Sequence, residues 1–162
     1  MRFWFDTEFF EDGRVIDLIS IGLVSEDGRE YYAETPGGVF LSGSSDWLKE
    51  NVRPHLTGPT ITRTKIARDI IEFVGEKPEF WAYYADYDWV ALCQLYGRMI
   101  DLPKGWPMFC RDVKQFADLL GNPALPKQES AEHHALADAK WTKEAWAFCK
   151  AFAVPPTQCT EK

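Results

Sequence analysis

The chain opens with a run of apolar residues that two acids interrupt. Aromatic residues dominate positions 3–10, and Asp6 and Glu8 lie among them. Because side chains alternate along a strand, a strand here points both acids to the same face. Neighbouring carboxylates on an apolar strand repel each other and resist loss of water, so the pair predicts a bound divalent cation. The alternative is that both acids lie at a solvated strand end and accept turn hydrogen bonds.

The pattern beyond this strand predicts strands first, and then strands that alternate with helices. A segment rich in β-branched residues at 15–24 and a second segment at 30–34, separated by a glycine-containing turn, predict an antiparallel meander with the first strand. We predict shorter strands at 78–84 and 108–112, and helices at 46–52, 65–74, 89–96, 113–120 and near the C-terminus. The predicted fold is α/β, with a mixed central sheet of an antiparallel meander plus parallel strands, flanked by helices.

Composition limits the class of protein. A chain of 162 residues with 46% hydrophobic residues predicts one globular domain, which we place at 1–155, followed by a disordered tail at 156–162. No apolar run is long enough to span a bilayer, and the early acid at position 6 is unlike a signal peptide. We therefore expect no membrane association and a cytoplasmic location. The four cysteines lack C-x-x-C spacing, which indicates free or buried thiols.

The net charge of −7 argues against a broad, non-specific surface for nucleic acid. It still allows a site that holds the end of one strand, where bound metal ions reverse the local charge.

Candidate chemistry also lies at the ends of other apolar elements. These residues are Asp86 or Asp88 after the strand predicted at 78–84, then His133, and then Asp138 in the last helix. Sites in open α/β sheets gather outside strand ends, so these side chains and the first acidic pair could meet in space. The alternatives are a helix cap for Asp86, a hydrogen-bonded histidine for His133 and a solvated helix face for Asp138.

The order of these residues resembles the DEDDh 3′–5′ exonucleases of the ribonuclease H-like superfamily. Their motifs are D-x-E on the first strand, an acid at a strand-to-helix turn, and H-x-x-x-x-D near the C-terminus. The matching residues over 1–150 are Asp6, Glu8, Asp88, His133 and Asp138. The resemblance implies a ribonuclease H-like fold and a metal-dependent exonuclease.

Two runs, 87–89 and 95–97, resemble the small polyadenylate-specific 3′-exoribonucleases of this family. One position departs from the family, which usually has Asn four residues before the second-motif acid, where this chain has Tyr84. Asp86 competes with Asp88 for the second motif. We favour Asp88 because it follows an aromatic residue, as the family's acid does. Asp86 suits an N-cap, and Asp88 suits the first turn of the helix.

The resemblance implies a two-metal phosphodiesterase that releases nucleoside 5′-monophosphates, such as AMP, from the 3′ ends of single-stranded RNA. Two Mg²⁺ or Mn²⁺ ions, ~3.5–4 Å apart, would bind hard carboxylate oxygens. Spacing from Asp138 selects His133 as the general base, while His134 faces elsewhere. The expected metal ligands are Asp6, Glu8, Asp88 and Asp138. The resemblance also implies a homodimer and a preference for polyadenylate.

Substrate contacts follow less directly. The resemblance implies that backbone groups from Thr7 to Phe9 contact the terminal ribose. Phe9 could stack on a base, although a core position is its ordinary alternative. Basic residues that could contact phosphates, none of them favoured, are Arg53, Arg63, Lys65, Arg68 and Arg111.

Three other functions remain open from the residues. A 3′–5′ DNA exonuclease or proofreading-type domain would use the same metal chemistry, because only the resemblance selects RNA over DNA. A binding module could keep the fold without catalysis, although the full set of acids and a histidine argues against it. An unrelated α/β protein would carry these acids on its surface.

Overall fold

The computed structural model describes residues 1–36, 45–129 and 132–153. The tail predicted at 156–162 lies outside these residues. So does most of the stretch at 35–45, whose prolines, glycines and serines predict a loop. Short 3-10 turns occur at Arg53–His55 and Met99–Asp101. The strands are β1 (Arg2–Glu11), β2 (Ile16–Ser25), β3 (Glu30–Glu34), β4 (Glu79–Ala82) and β5 (Arg111–Asp112). The helices are α1 (Asp46–Asn51), α2 (Arg63–Val74), α3 (Asp86–Gln94), α4 (Val113–Leu119) and α5 (Ala135–Ala153).

The five strands form one mixed sheet in the order β3-β2-β1-β4-β5. The pairs β1–β2 and β2–β3 are antiparallel, whereas β1–β4 and β4–β5 are parallel. The predicted meander and the predicted mixed sheet are therefore confirmed. β1 lies at the centre, and it continues well past the end of β4, whose pairing with β1 ends at Trp4 and Trp81.

The alternation along β1 divides the core between the two faces of the sheet. Phe3 and Phe5 are fully buried in the cluster that contains Ile66 and Ile70 of α2 and Leu92 of α3. On the other face, the Trp4 ring packs edge-on against the Trp146 ring of α5, with 5.0 Å between centroids. Helices thus cover both faces, and β1 is buried on each.

The structure changes several predicted boundaries. Helix α2 begins at Arg63, two residues before the predicted start, because Thr62 caps it by accepting a hydrogen bond from the Lys65 amide. Ser45 suits an N-cap for the helix predicted at 46–52, and it does cap α1 by accepting a hydrogen bond from the Leu48 amide. Strand β4 covers only four residues and β5 only two. None of the helices in the described part of the chain is long and apolar enough to cross a membrane.

Helix α5 buries a different face from the one that its apolar sequence pattern suggests. The apolar residues at 141, 145, 148 and 152, three of them aromatic, suggest one core-facing stripe. Instead, Phe152 is 55% exposed and the Trp141 indole donates a hydrogen bond to the Pro126 carbonyl. The residues that α5 buries are small: Ala135, Ala139, Thr142, Ala145 and Cys149. Only Ala145 of the expected stripe is in the core, and the small face lets the helix lie close to the sheet.

Candidate active site

Three of the predicted acids converge although they lie far apart in sequence. Asp6, Glu8 and Asp138 each offer a carboxylate oxygen, and these oxygens all lie within 4.8 Å of one another. Asp6 and Glu8 come from the same face of β1, and Asp138 comes from the first turn of α5. A β-bulge lies at this point of the β1–β2 ladder, between Glu8 and Phe9. Bulges of this kind redirect side chains next to functional sites.

A glycine in β2 allows α5 to approach the acids of β1. Gly22 pairs directly with Asp6 in the antiparallel ladder. A Cβ atom at position 22 would lie 2.3 Å from the backbone nitrogen of Leu136 and 2.5 Å from the carbonyl carbon of Ala135. The backbone at the start of α5 therefore rests on the sheet beside Asp6, and Asp138 follows two residues later. The sequence showed a glycine here but gave no sign of what it contacts.

Asp88 lines a cleft with Asp6, Glu8 and Asp138, although it is not one of the three acids whose oxygens lie within 4.8 Å of one another. It lies in the first turn of α3 and is only 5% exposed. Its Oδ1 atom accepts hydrogen bonds from the Thr7 amide at 2.9 Å and the Thr7 hydroxyl at 2.6 Å. Because β4 has ended before Thr7, this amide has no strand partner, and the carboxylate satisfies it.

Asp86 is exposed and is the first residue of α3. The predicted N-cap role for Asp86 is wrong, because Ala85 occupies the cap position and makes no side-chain cap bond. The Ala85 amide instead donates to Asp112, a residue that also caps α4. The helix is thus anchored by a carboxylate from β5, which sequence proximity could not indicate.

The two neighbouring histidines have different surroundings. His133 adopts a left-handed backbone conformation (φ 65°), and its amide donates to Asp138 Oδ2 at 3.0 Å. The His133 ring lies against the ring of Trp47, and it lines the cleft together with Asp6 and Asp138. His134 instead accepts a hydrogen bond from the Ala137 amide and stacks on Tyr32. The prediction that His134 faces away is confirmed.

Burial raises the pKa values of the four acids, and repulsion among the carboxylates adds to the rise. Burial, with the charges of Asp88, Glu8 and Asp138, raises the pKa of Asp6 well above its usual value. Burial and the charges of Asp138 and Asp88 raise the pKa of Glu8 to about 8. Burial raises the pKa of Asp88 to about 7, although the hydrogen bonds from Thr7 oppose the rise. Burial also raises the pKa of Asp138. Such a cluster needs either protons or a cation to be stable near neutral pH.

Two clefts border the acids and share Asp6, Tyr83, His133 and Asp138 in their linings. The first, of about 330 Å³, is lined by Asp6, Tyr83, Gln128, Glu132, His133, Asp138, Trp141 and Thr142. The second, of about 270 Å³, is lined by Asp6, Thr7, Glu8, Phe9, Tyr83, Tyr84, Tyr87, Asp88, His133 and Asp138. No lysine or arginine is among these described lining residues. Bound cations would therefore have to supply the positive charge that attracts a phosphate.

Sequence reasoning missed several of the lining residues. Gln128 donates a hydrogen bond to Asp138 Oδ1, yet it lies in a segment without regular structure. Tyr84 is 64% exposed and left-handed (φ 55°), a conformation that the family's asparagine adopts more readily than tyrosine. The departure from the family motif at Tyr84 was the only signal in the sequence for any of these.

Phe9, the base-stacking candidate in the sequence, is half-buried, and its ring centroid is 5.6 Å from that of Tyr87.

The basic candidates lie elsewhere. Arg63 pairs with Asp17, Lys65 bonds to Asp69 at 2.6 Å, and Arg111 lies beside Glu79. None of the five basic residues considered from the sequence lines either cleft.

Most of the chain matches a known family. Residues 1–150 match the model described as the 3′-5′ exoribonuclease Rv2179c-like domain. The chain belongs to this family. The 3′-5′ exoribonuclease Rv2179c of Mycobacterium tuberculosis (strain ATCC 25618 / H37Rv) is 43% identical over 149 residues, which cover 86% of this chain and 88% of that relative. A second Mycobacterium tuberculosis protein, from strain CDC 1551 / Oshkosh, has the same identity and coverage and is named 3′-5′ exoribonuclease MT2234.1. This chain is thus a 3′-5′ exoribonuclease, and the predicted family is confirmed.

Solved structures agree on the fold of the Rv2179c-like domain. An apo form of exonuclease I superposes with a TM-score of 0.58 at 13% identity, covering 91% of this chain and 41% of that one. Escherichia coli exonuclease I in complex with a dT13 oligonucleotide gives 0.59 at 12% identity, over 93% and 40%. The chain spans about two fifths of those proteins. At this identity the similarity concerns the fold, and the predicted ribonuclease H-like architecture is confirmed.

Proposed function

We propose that this exoribonuclease removes nucleoside 5′-monophosphates from the 3′ ends of single-stranded RNA and depends on divalent metal ions. The observation that carries the proposal is the convergence of the Asp6, Glu8 and Asp138 oxygens within 4.8 Å, without a basic residue in the described cleft lining. Carboxylates of raised pKa at this separation are expected where a cation normally binds. The ordinary alternative is that these acids are solvated surface residues. Solvated acids would repel one another and would not be expected to cluster in a partly buried site.

The residues present suit Mg²⁺ or Mn²⁺. Hard carboxylate oxygens from β1, α3 and α5 would hold two ions, in a set with no thiol to favour a softer metal. When bound, such ions lower the pKa of water and neutralise charge on the leaving oxygen. The proposed ligands are Asp6, Glu8, Asp88 and Asp138.

The side chains around the acids have roles in this proposal that their contacts support. His133 accepts a proton from the attacking water, because its imidazole borders the cleft that Asp6 and Asp138 line. Thr7 has both its amide and its hydroxyl committed to Asp88. It therefore orients that ligand, and its backbone carbonyl is the group left to accept a hydrogen bond from the terminal ribose. Phe9, beside Tyr87, offers an aromatic face to a base.

Other parts of the proposal rest on the family resemblance and on composition. We propose a preference for polyadenylate with AMP as the product, a homodimeric assembly and a cytoplasmic location. We also propose that residues 1–155 form one domain, as the single sheet and its two covering layers favour.

Digestion of four homopolymeric RNAs and of oligodeoxyadenylate tests this function. We expect mononucleotide release from polyadenylate in Mg²⁺ or Mn²⁺, none with chelator, and retention of a 5′-phosphate on each product by mass spectrometry. Faster digestion of DNA than of RNA would contradict the proposed substrate, and activity in chelator would contradict the metal. Binding of RNA without any digestion would identify a binding module instead.

A further inference from the structure

No side chain or carbonyl in the described part of the chain orients the imidazole of His133 through a hydrogen bond. A general base is ordinarily held by a hydrogen bond from its second ring nitrogen to a carboxylate or carbonyl. Within the described residues, His133 forms its hydrogen bond through the backbone amide, to Asp138, and forms none through the ring. The backbone is therefore fixed, while rotation about the side-chain bonds must be limited by packing.

Trp47 supplies that packing. Its ring meets the His133 ring edge to face, with 4.8 Å between centroids and 77° between planes. Trp47 lies in the first turn of α1 and is 50% exposed, so it contributes little to the core. The neighbouring Leu48 is buried against Ile19 of β2. The indole is thus carried by a helix that is anchored to the same sheet as the acids.

We propose that Trp47 is a positioning residue that holds the His133 imidazole towards the acidic cleft. The inference rests on the proposed function, because it requires His133 to act as the base. Edge-to-face contact does not occupy the ring nitrogens, and neither of them hydrogen-bonds to any of the described residues, so the imidazole can accept a proton from water. Direct stacking of Trp47 on an RNA base is the competing role, and the two roles affect different kinetic constants.

Trp47→Ala and Trp47→Phe separate these roles on adenylate oligomers. For Trp47→Ala we expect kcat to fall about 10-fold, equivalent to ~1.4 kcal/mol, with KM within twofold of the parent value. Trp47→Phe keeps an aromatic edge and should recover most of kcat. In a His133→Ala background, Trp47→Ala should cause no further loss, because the group that it positions is absent. Mn²⁺ affinity, measured by calorimetry, should stay unchanged.

Phe152→Ala is the matched control, since Phe152 is similarly exposed and makes one ring contact at the far end of α5. It should leave kcat unchanged, and circular dichroism should show that all variants fold. A tenfold rise in KM for Trp47→Ala, or an equal loss of activity with and without His133, would overturn the positioning role. If His133→Ala itself keeps full kcat, the assignment of the base in the proposed function fails. If His133→Ala is inactive but Trp47→Ala matches the parent, only this inference fails.

Discussion

Gly22→Ala tests whether the close contact between α5 and the sheet assembles the acidic cluster. The added Cβ would lie 2.3 Å from the Leu136 nitrogen and 2.4 Å from its Cα. Optimal contacts between carbon atoms lie at roughly 3.5–4.0 Å. The obstructing atoms are backbone, which cannot rotate away as a side chain would. The start of α5 must therefore move outward by on the order of 1 Å, and Asp138 must move with it.

The size of the effect follows from this displacement. Overpacking of a core contact costs about 1–3 kcal/mol of stability. A displacement of ~1 Å in catalytic geometry can cost about 10²-fold in rate. The carboxylate oxygens of Asp6, Glu8 and Asp138 all lie within 4.8 Å of one another. Moving Asp138 away therefore lowers the affinity for any ion that the three acids share. We expect Gly22→Ala to lose at least tenfold in kcat/KM and in Mn²⁺ affinity while it remains folded.

The assay compares mononucleotide release and Mn²⁺ calorimetry with thermal unfolding. Ile70→Val is the matched control, since Ile70 is fully buried in the core on the other face of the sheet. This substitution costs roughly 0.5–1.5 kcal/mol of stability without touching α5. It should therefore lower Tm and keep both metal affinity and kcat/KM. Parent-like activity and Mn²⁺ affinity in folded Gly22→Ala would refute the claim that this contact positions Asp138.

Three further predictions concern individual side chains. In chelator, the metal-free protein should lose stability as pH rises from 5 to 8.5, because folding raises the pKa of Glu8 to about 8 and the folded state then holds the extra proton. The free energy of unfolding can fall by ~1.4 kcal/mol per pH unit for one group. Glu8→Gln should flatten this loss, followed as Tm against pH, whereas exposed Glu72→Gln should not, and equal slopes would contradict the burial argument. Asp88→Asn should lower kcat by ~10²-fold or more, whereas the kcat of exposed Asp86→Asn should stay within twofold of the parent value. If Asp86→Asn instead caused the larger loss of kcat, Asp86 would be the second-motif acid. His134→Ala should destabilise α5 by ~0.5–2 kcal/mol through loss of its cap, as thermal unfolding can measure, yet should keep kcat within fivefold.

Local patterns explain why so much of the fold was predictable. The alternation over 3–10 placed Asp6 and Glu8 on one face of a strand, and glycine-containing turns marked the meander. The same alternation accounts for the burial of Phe3 and Phe5 on one face of β1 and Trp4 on the other. These features depend on neighbours within a few residues, which the sequence displays directly.

Contacts between distant segments were not predictable in the same way. Thr7 and Asp88 are 81 residues apart, and their hydrogen bonds exist because β4 ends early and leaves an amide unpaired. Nothing in the local pattern around Gly22 indicates that a helix more than a hundred residues later lies on it. The expected stripe on α5 failed for a related reason. Hydrophobicity favours Phe152 for the core, but a helix that must approach the sheet closely buries alanine instead.

The four acids differ in how the protein holds them. Asp88 and Asp138 accept hydrogen bonds, from Thr7 in one case and from His133 in the other. Within the described residues, the side chains of Asp6 and Glu8 accept none, and burial raises the pKa of both. An ionised carboxylate without a donor gains the most from a cation, since nothing else compensates its lost hydration. The affinity that we propose for metal ions and the instability expected of the metal-free protein at high pH therefore have one physical origin in the acidic pair of β1.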